Sequence, residues 1–225
     1  MNLMVVLLHI PKNAMKINEI FVSIQGESTY MGRPCLFIRT TGCNLRCTYC
    51  DTEYAFYDGK EMSNDEIFDI VENSGVKLVE ITGGEPLLQK ELPELLDRLL
   101  EENYEVLIET SGSIDIDKID PRAVRIMDIK CPSSGEVSKN DLSNLNKLKP
   151  LDEVKFVVGD REDYTWANEI IEKYNLDQKV TVLFSPVFEK LAPVKLAKWI
   201  LEDKKNVRMQ IQLHKIIWGA GAAGV

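Results

Sequence analysis

The sequence predicts an α/β fold: a partial, incomplete TIM-type barrel of mostly parallel strands with covering helices. Three observations carry this. Short apolar runs alternate with amphipathic helical patterns, the order that makes a parallel sheet with helices on its face. The apolar runs are rich in Val, Ile and Leu, as strands buried on both faces are. Polar, glycine-rich motifs follow the strands in series (TGC, TGGEP, ETSG, DIKCPSSG, FSP), and parallel α/β folds gather their ligand sites at the carboxyl ends of the strands. The units are too few for a closed eight-fold barrel. An open doubly wound sheet is the alternative.

Strands are expected at Cys35–Thr41, Lys77–Thr82, Glu105–Thr110, Val124–Lys130, Glu153–Val158, Val180–Ser185 and Val207–Leu213. The helix at Ser63–Asn73 opens on Ser63 and Glu66, a capping box, and Gly75 stands just past its end. Lys90–Glu102 places Leu92, Leu95, Leu96, Leu99 and Leu100 on one face. Arg161–Tyr174 and Pro193–Asp203 read the same way. Met15 begins a segment that reads like a natural start, so residues 1–14 are expected to be an extension and 15–225 a single domain.

The formal charge of −9 argues against long nucleic-acid contact, which needs a basic face. No apolar run reaches the length that spans a bilayer, and the apolar start lacks the basic flank and cleavage site of a signal peptide. A small-molecule partner is the better expectation. Of five cysteines, Cys43, Cys47 and Cys50 crowd one loop, too tight to bridge distant strands. A clustered set without a signal reads as a metal site in a reducing, cytoplasmic compartment.

The loop GCNLRCTYCDT has the spacing C-x3-C-x2-C. A [4Fe–4S] cubane takes one thiolate per iron, so three cysteines leave one iron open, the mark of a catalytic site. The other reading is a structural zinc knuckle that borrows Cys35, Cys131 or His214. Gly83 and Gly84 end the next strand, where paired glycines admit close backbone approach. Taken alone that motif is also a common turn, and so is Ser111-Gly112. Asp128 and Lys130 close a buried strand as a site or as a simple ion pair.

These motifs together resemble the radical SAM superfamily. The resemblance implies that the open iron chelates S-adenosylmethionine (SAM), which an electron from an external donor of flavodoxin or ferredoxin type cleaves to a 5′-deoxyadenosyl radical. It implies SAM contacts at Tyr49, Cys50, Asp51, Gly83, Gly84, Glu85, Ser111, Asp128, Ile129, Lys130, Ser185, Pro186, Val187 and Phe188.

A narrower resemblance starts upstream. Ile24-Gln25-Gly26-Glu27, then Phe37-Ile38-Arg39, the cluster loop, Cys50-Asp51-Thr52 and the late segment QLHKIIWG closely resemble the 7-carboxy-7-deazaguanine synthase family, from about Ile17 to the end. The implied substrate is 6-carboxy-5,6,7,8-tetrahydropterin. Gln25, Gly26, Glu27 and Thr82 offer donors and acceptors to its edge, and Arg39 offers a planar fork to its carboxylate. Ile24 and the terminal carboxylate of Val225 complete the implied substrate set, Thr52 is the implied Mg2+ ligand, and a homodimer is implied. On its own residues, Asp51-Thr52 reads as a helix cap, Gln25–Glu27 as a turn and Arg39 as an ion pair. Two rivals stay open: a glycyl-radical-enzyme activating protein, with the same cysteine spacing but a protein substrate, and a non-catalytic zinc module.

Overall fold

The computed structural model describes residues 13–222 and 224. The expected extension lies outside the described residues as far as residue 12. Its last residue, Ala14, opens the first strand and pairs with Ser63.

Six parallel strands form the centre of one nine-stranded sheet. They are β2 (Pro34–Thr40), β4 (Leu78–Gly83), β5 (Glu105–Thr110), β6 (Val124–Ile129), β7 (Glu153–Val158) and β8 (Thr181–Pro186). They lie side by side in chain order. Two strands not expected from sequence extend one edge. β1 (Ala14–Ile24) runs antiparallel to β2, and β3 (Lys60–Ser63) antiparallel to β1. The run expected at Val207–Leu213 shrinks to β9 (Arg208–Met209) on the other edge, and Leu213 instead begins a short helix, α5 (Leu213–Ile217). Among the described residues the sheet does not close, as expected for a partial barrel.

Four longer helices match the sequence patterns: α1 (Asn64–Ser74), α2 (Leu92–Glu101), α3 (Arg161–Tyr174) and α4 (Pro193–Glu202). The α1 capping box forms in both directions, Ser63 Oγ accepting from Glu66 N and the Glu66 carboxylate accepting from Ser63 N. Gly75 ends the helix at φ 68°, the left-handed position that glycine enters without penalty. The connections β5–β6 and β6–β7 carry only 3-10 turns. No described helix is long and apolar enough to cross a membrane.

Strand alternation divides the sheet into two environments. Ile38, Val79, Ile81, Val106, Ile108, Met127, Ile129, Val154, Phe156, Val182 and Phe184 share the main core with the helices. The other face is apolar only near its base, at Cys35, Phe37, Leu78, Leu107, Val124 and Ile126. Further along the same strands it carries Glu80, Thr82, Asp128 and Lys155, all buried. That polar face is the floor of the site.

Candidate active site

A cavity of about 630 Å³ opens over the carboxyl ends of the parallel strands. Cys43, Cys47 and Cys50 all line it, in the loop that leaves β2. The loop is fastened from several sides. Gly42 N donates to Ala55 O (2.9 Å), Glu85 N to Gly42 O (2.8 Å) and Thr48 N to Ser134 O (3.0 Å). Arg46 N donates to Glu136 Oε1 (2.7 Å). Burial pushes the Cys43 thiol up and the Cys47 thiol to about 11, so metal binding has to displace their protons.

Among the described residues, no three His, Cys, Asp or Glu side chains converge on one metal position. A cubane distributes its thiolates one per iron. Cys35 points into the apolar base of the sheet and Cys131 into the main core, so neither stands with the loop cysteines. The donor set fits an iron–sulfur cluster with one open iron.

The Gly83-Gly84 turn is pressed against this loop. A Cβ on Gly84 would stand 2.1 Å from Gly42 O and 2.7 Å from Cys43 Cβ, and one on Gly83 (φ 149°) 2.4 Å from Thr40 O. Glycine is required here by close backbone approach. Glu85 is fully buried and accepts four hydrogen bonds: from Leu87 N (3.1 Å), Thr110 Oγ1 (2.8 Å), Ser111 N (2.9 Å) and Ser111 Oγ (2.6 Å). It ties the TGGEP turn to the ETSG turn.

The floor carries a charge network. Lys155 Nζ lies 3.0 Å from Glu27 Oε2 and 3.4 Å from Asp128 Oδ2, and it also bonds Glu109. Burial works against the ammonium, but Glu109, Glu27 and Asp128 outweigh it and hold it protonated far above its ordinary range. Burial likewise opposes the Asp128 anion, and Lys130 (3.1 Å) and Lys155 reverse that and hold its pKa below the ordinary value. Arg39 Nε donates to Glu19 Oε1 at 2.7 Å, and Tyr54 Oη donates to the same oxygen at 2.9 Å. The partner that a charged residue in an apolar strand requires is therefore Glu19, on β1.

The C-terminal segment packs on the wall at Gly26, Glu27 and Asp51. Leu213 N donates to Gly26 O at 3.0 Å, and a Cβ on Gly26 would meet His214 Nδ1 at 2.3 Å. Gln212 Nε2 bridges Glu27 (2.9 Å) and Asp51 (3.2 Å), and Lys215 Nζ reaches Asp51 at 2.7 Å. Burial disfavours the Asp51 anion, yet Lys215 and Gln212 hold its pKa down to about 2.

Residues 37–128 match the model of the Radical SAM superfamily. The chain is 48% identical to 7-carboxy-7-deazaguanine synthase of Koribacter versatilis, over 94% of this chain and 100% of that protein. It is 46% identical to the synthase of Chlorobaculum tepidum, over 94% and 97%. Its fold resembles the crystal structure of QueE from Escherichia coli, with a TM-score of 0.74 at 25% identity, over 89% of this chain and 95% of that one. The chain belongs to the 7-carboxy-7-deazaguanine synthase family of radical SAM enzymes.

Most residues that this family resemblance singled out meet in the one cavity. Tyr49, Asp51, Gly83, Gly84, Ser111, Asp128, Lys130, Val187 and Phe188 line it with the cysteines, and so do Ile24, Gln25, Gly26, Glu27, Arg39, Thr82 and Thr52. Thr52 precedes a 3-10 turn without making a side-chain cap bond, and its hydroxyl lies 3.7 Å from Cys50 Sγ. Four residues stand off the wall. Glu85 is spent on the turns, Ile129 is buried in the main core, and Ser185 and Pro186 are buried at the end of β8. Val225 lies outside the described residues. Sequence reasoning missed Glu19, Glu80, Glu109, Lys155, Gln212 and Lys215, all on the wall. The signal was there for Glu80, Glu109 and Lys155, each a charged residue in the interior of a strand whose neighbouring residues are mostly Val, Ile, Leu and Phe.

Proposed function

We propose that this chain converts 6-carboxy-5,6,7,8-tetrahydropterin to 7-carboxy-7-deazaguanine with loss of ammonia, in 7-deazaguanine biosynthesis. The observation that carries it is the union, in one cavity, of the open cysteine loop with the Gln25–Glu27, Arg39 and Thr82 wall. Family membership supports the same reading.

Cys43, Cys47 and Cys50 would hold a [4Fe–4S] cluster, and Gly83, Gly84, Ser111, Asp128, Lys130, Val187, Phe188, Tyr49 and Asp51 would hold SAM beside it. When bound, the two supply a carbon-centred radical that takes a hydrogen atom from the substrate. Arg39 keeps one guanidinium edge on Glu19 and has the other for the substrate carboxylate. Thr82 Oγ1 donates to Glu109 Oε2 at 3.2 Å, which leaves the hydroxyl oxygen free to accept. Thr52 would give one oxygen to Mg2+, with substrate and water completing the shell. Gln212, His214 and Lys215 line the cavity beside Gly26, Glu27 and Asp51. The same reading takes residues 15–225 as one domain of a cytoplasmic homodimer served by a flavodoxin- or ferredoxin-type donor.

Anaerobically reconstituted protein, given reductant, SAM, Mg2+ and carboxytetrahydropterin, is expected to release the deazaguanine acid, read by mass and absorbance. Reconstituted, iron-loaded protein that makes none would overturn the assignment. Turnover that persists undiminished without Mg2+ would overturn the role of Thr52.

A further inference from the structure

Glu80 sits in the middle of β4, between Phe37 of β2 and Leu107 of β5. Alternation turns it to the same side as Leu78 and Thr82. It is 4% exposed, yet it lines the cavity. Its Oε2 accepts a hydrogen bond from Gln25 Nε2. The orientation of that amide is fixed from the other end, because Gln25 Oε1 accepts from Glu27 N at 2.9 Å. The Gln25 backbone is also committed, its N to Arg33 O and its O to Gly32 N, both at 2.8 Å.

The charge inventory gives Glu80 its character. Lys155 serves Glu27, Glu109 and Asp128 and makes no ion pair with Glu80. A further anion on this floor is opposed by burial, then by Glu109 and Glu27, which together push the Glu80 carboxyl well above the usual carboxylate range. A neutral carboxyl has one oxygen that accepts and one that carries a proton. Gln25 uses one oxygen, and among the described residues no protein group donates a hydrogen bond to the other.

We propose that Glu80 contacts the substrate, holding the Gln25 amide with one carboxyl oxygen and donating from the other to an acceptor atom on the edge of the bound heterocycle. This rests on the pterin reading above. It adds to Arg39 and Thr82 a hydrogen-bond donor from the floor, where a carboxylate would offer only acceptors.

Two variants and one background test it, in the reconstituted enzyme. Glu80→Gln keeps a donor and an acceptor, so its KM for the pterin stays near wild type. Glu80→Met keeps the bulk and removes both, so that KM rises about tenfold, the worth of one or two lost hydrogen bonds. The KM for SAM, the iron content and the melting temperature report whether the site is otherwise intact, and the first two are expected to be unchanged. Glu80→Met in a Gln25→Met background separates contact from positioning: a residue that touches substrate raises the KM further there, and one that acts only through Gln25 does not. Loss in Glu80→Gln equal to that in Glu80→Met, an unchanged KM in Glu80→Met, or no further rise in the double variant would overturn the proposal while leaving the assignment intact. A wild-type enzyme without pterin turnover would overturn both.

Discussion

The two faces of the sheet use the same strands for opposite purposes. On the helix-covered face, Val154 and Phe156 of β7 pack into hydrocarbon. On the cavity face, Lys155 between them sits among three carboxylates. One face is held by burial that is indifferent to charge state. The other is held by a balance of buried charges that depends on its central cation, Lys155. Stability and chemistry are thus segregated by strand alternation, one residue apart.

This separation is easiest to break at its strongest points. Phe156→Ala removes a fully buried ring from the helix-covered face and is expected to destabilise the protein by about 3–5 kcal/mol. A denaturant titration should give that loss with little dependence on pH, and whatever protein remains folded should keep its KM for the pterin. If KM rose together with the loss of stability, the two faces would not be independent.

Lys155→Met should cost somewhat less at neutral pH, on the order of 3 kcal/mol, because the cavity lets water reach the stranded carboxylates. Its pH dependence is the sharper test. Lys155 helps hold the pKa values of Glu27 and Asp128 below their ordinary values. Groups lowered in the folded state contribute stability above their unfolded pKa and lose it as pH falls through the folded one. The gap between wild type and Lys155→Met should therefore narrow as pH drops from 7 toward about 4, the unfolded carboxylate range, whereas the gap for Phe156→Ala should not. Parallel curves for the two variants would refute the charge-balance account of the cavity face.

The same segregation explains what the sequence could disclose. The six central strands were legible because hydrocarbon dominates them on both sides at their base. The α1 boundaries were legible because the capping box and Gly75 are local signals. β1 was missed because Lys16, Asn18 and Glu19 interrupt its apolar pattern, and its pairing with both β2 and β3 is a long-range event. The stretch from Val207 has strand-like residues, but only Arg208 and Met209 find a ladder. In the site, the cysteines and the glycine pair were visible because a few adjacent residues carry their meaning. Glu27 with Lys155, or Asp51 with Lys215, meet only after the sheet has formed, across more than a hundred residues of chain.

Glu80 gives the smallest expected effect and the finest discrimination between the faces. Its carboxyl is raised by burial and by Glu109 and Glu27, against the lowering pull of Lys155 and the Gln25 hydrogen bond, with the Cys35 sulfur beneath it. For an acid raised in the folded state, the folded protein binds more protons than the unfolded chain between the two pKa values. Stability is then lost as pH rises through that window. Glu80→Gln has no such proton to lose, so relative to wild type it should gain stability with rising pH above about 4.5, by at most about 1.4 kcal/mol per pH unit. Denaturant midpoints of the two proteins between pH 5 and 8 measure this directly. Diverging curves place a neutral acid on the floor of the cavity; curves that stay parallel mean that Glu80 is ionised there, an anion beyond the three that Lys155 pairs with.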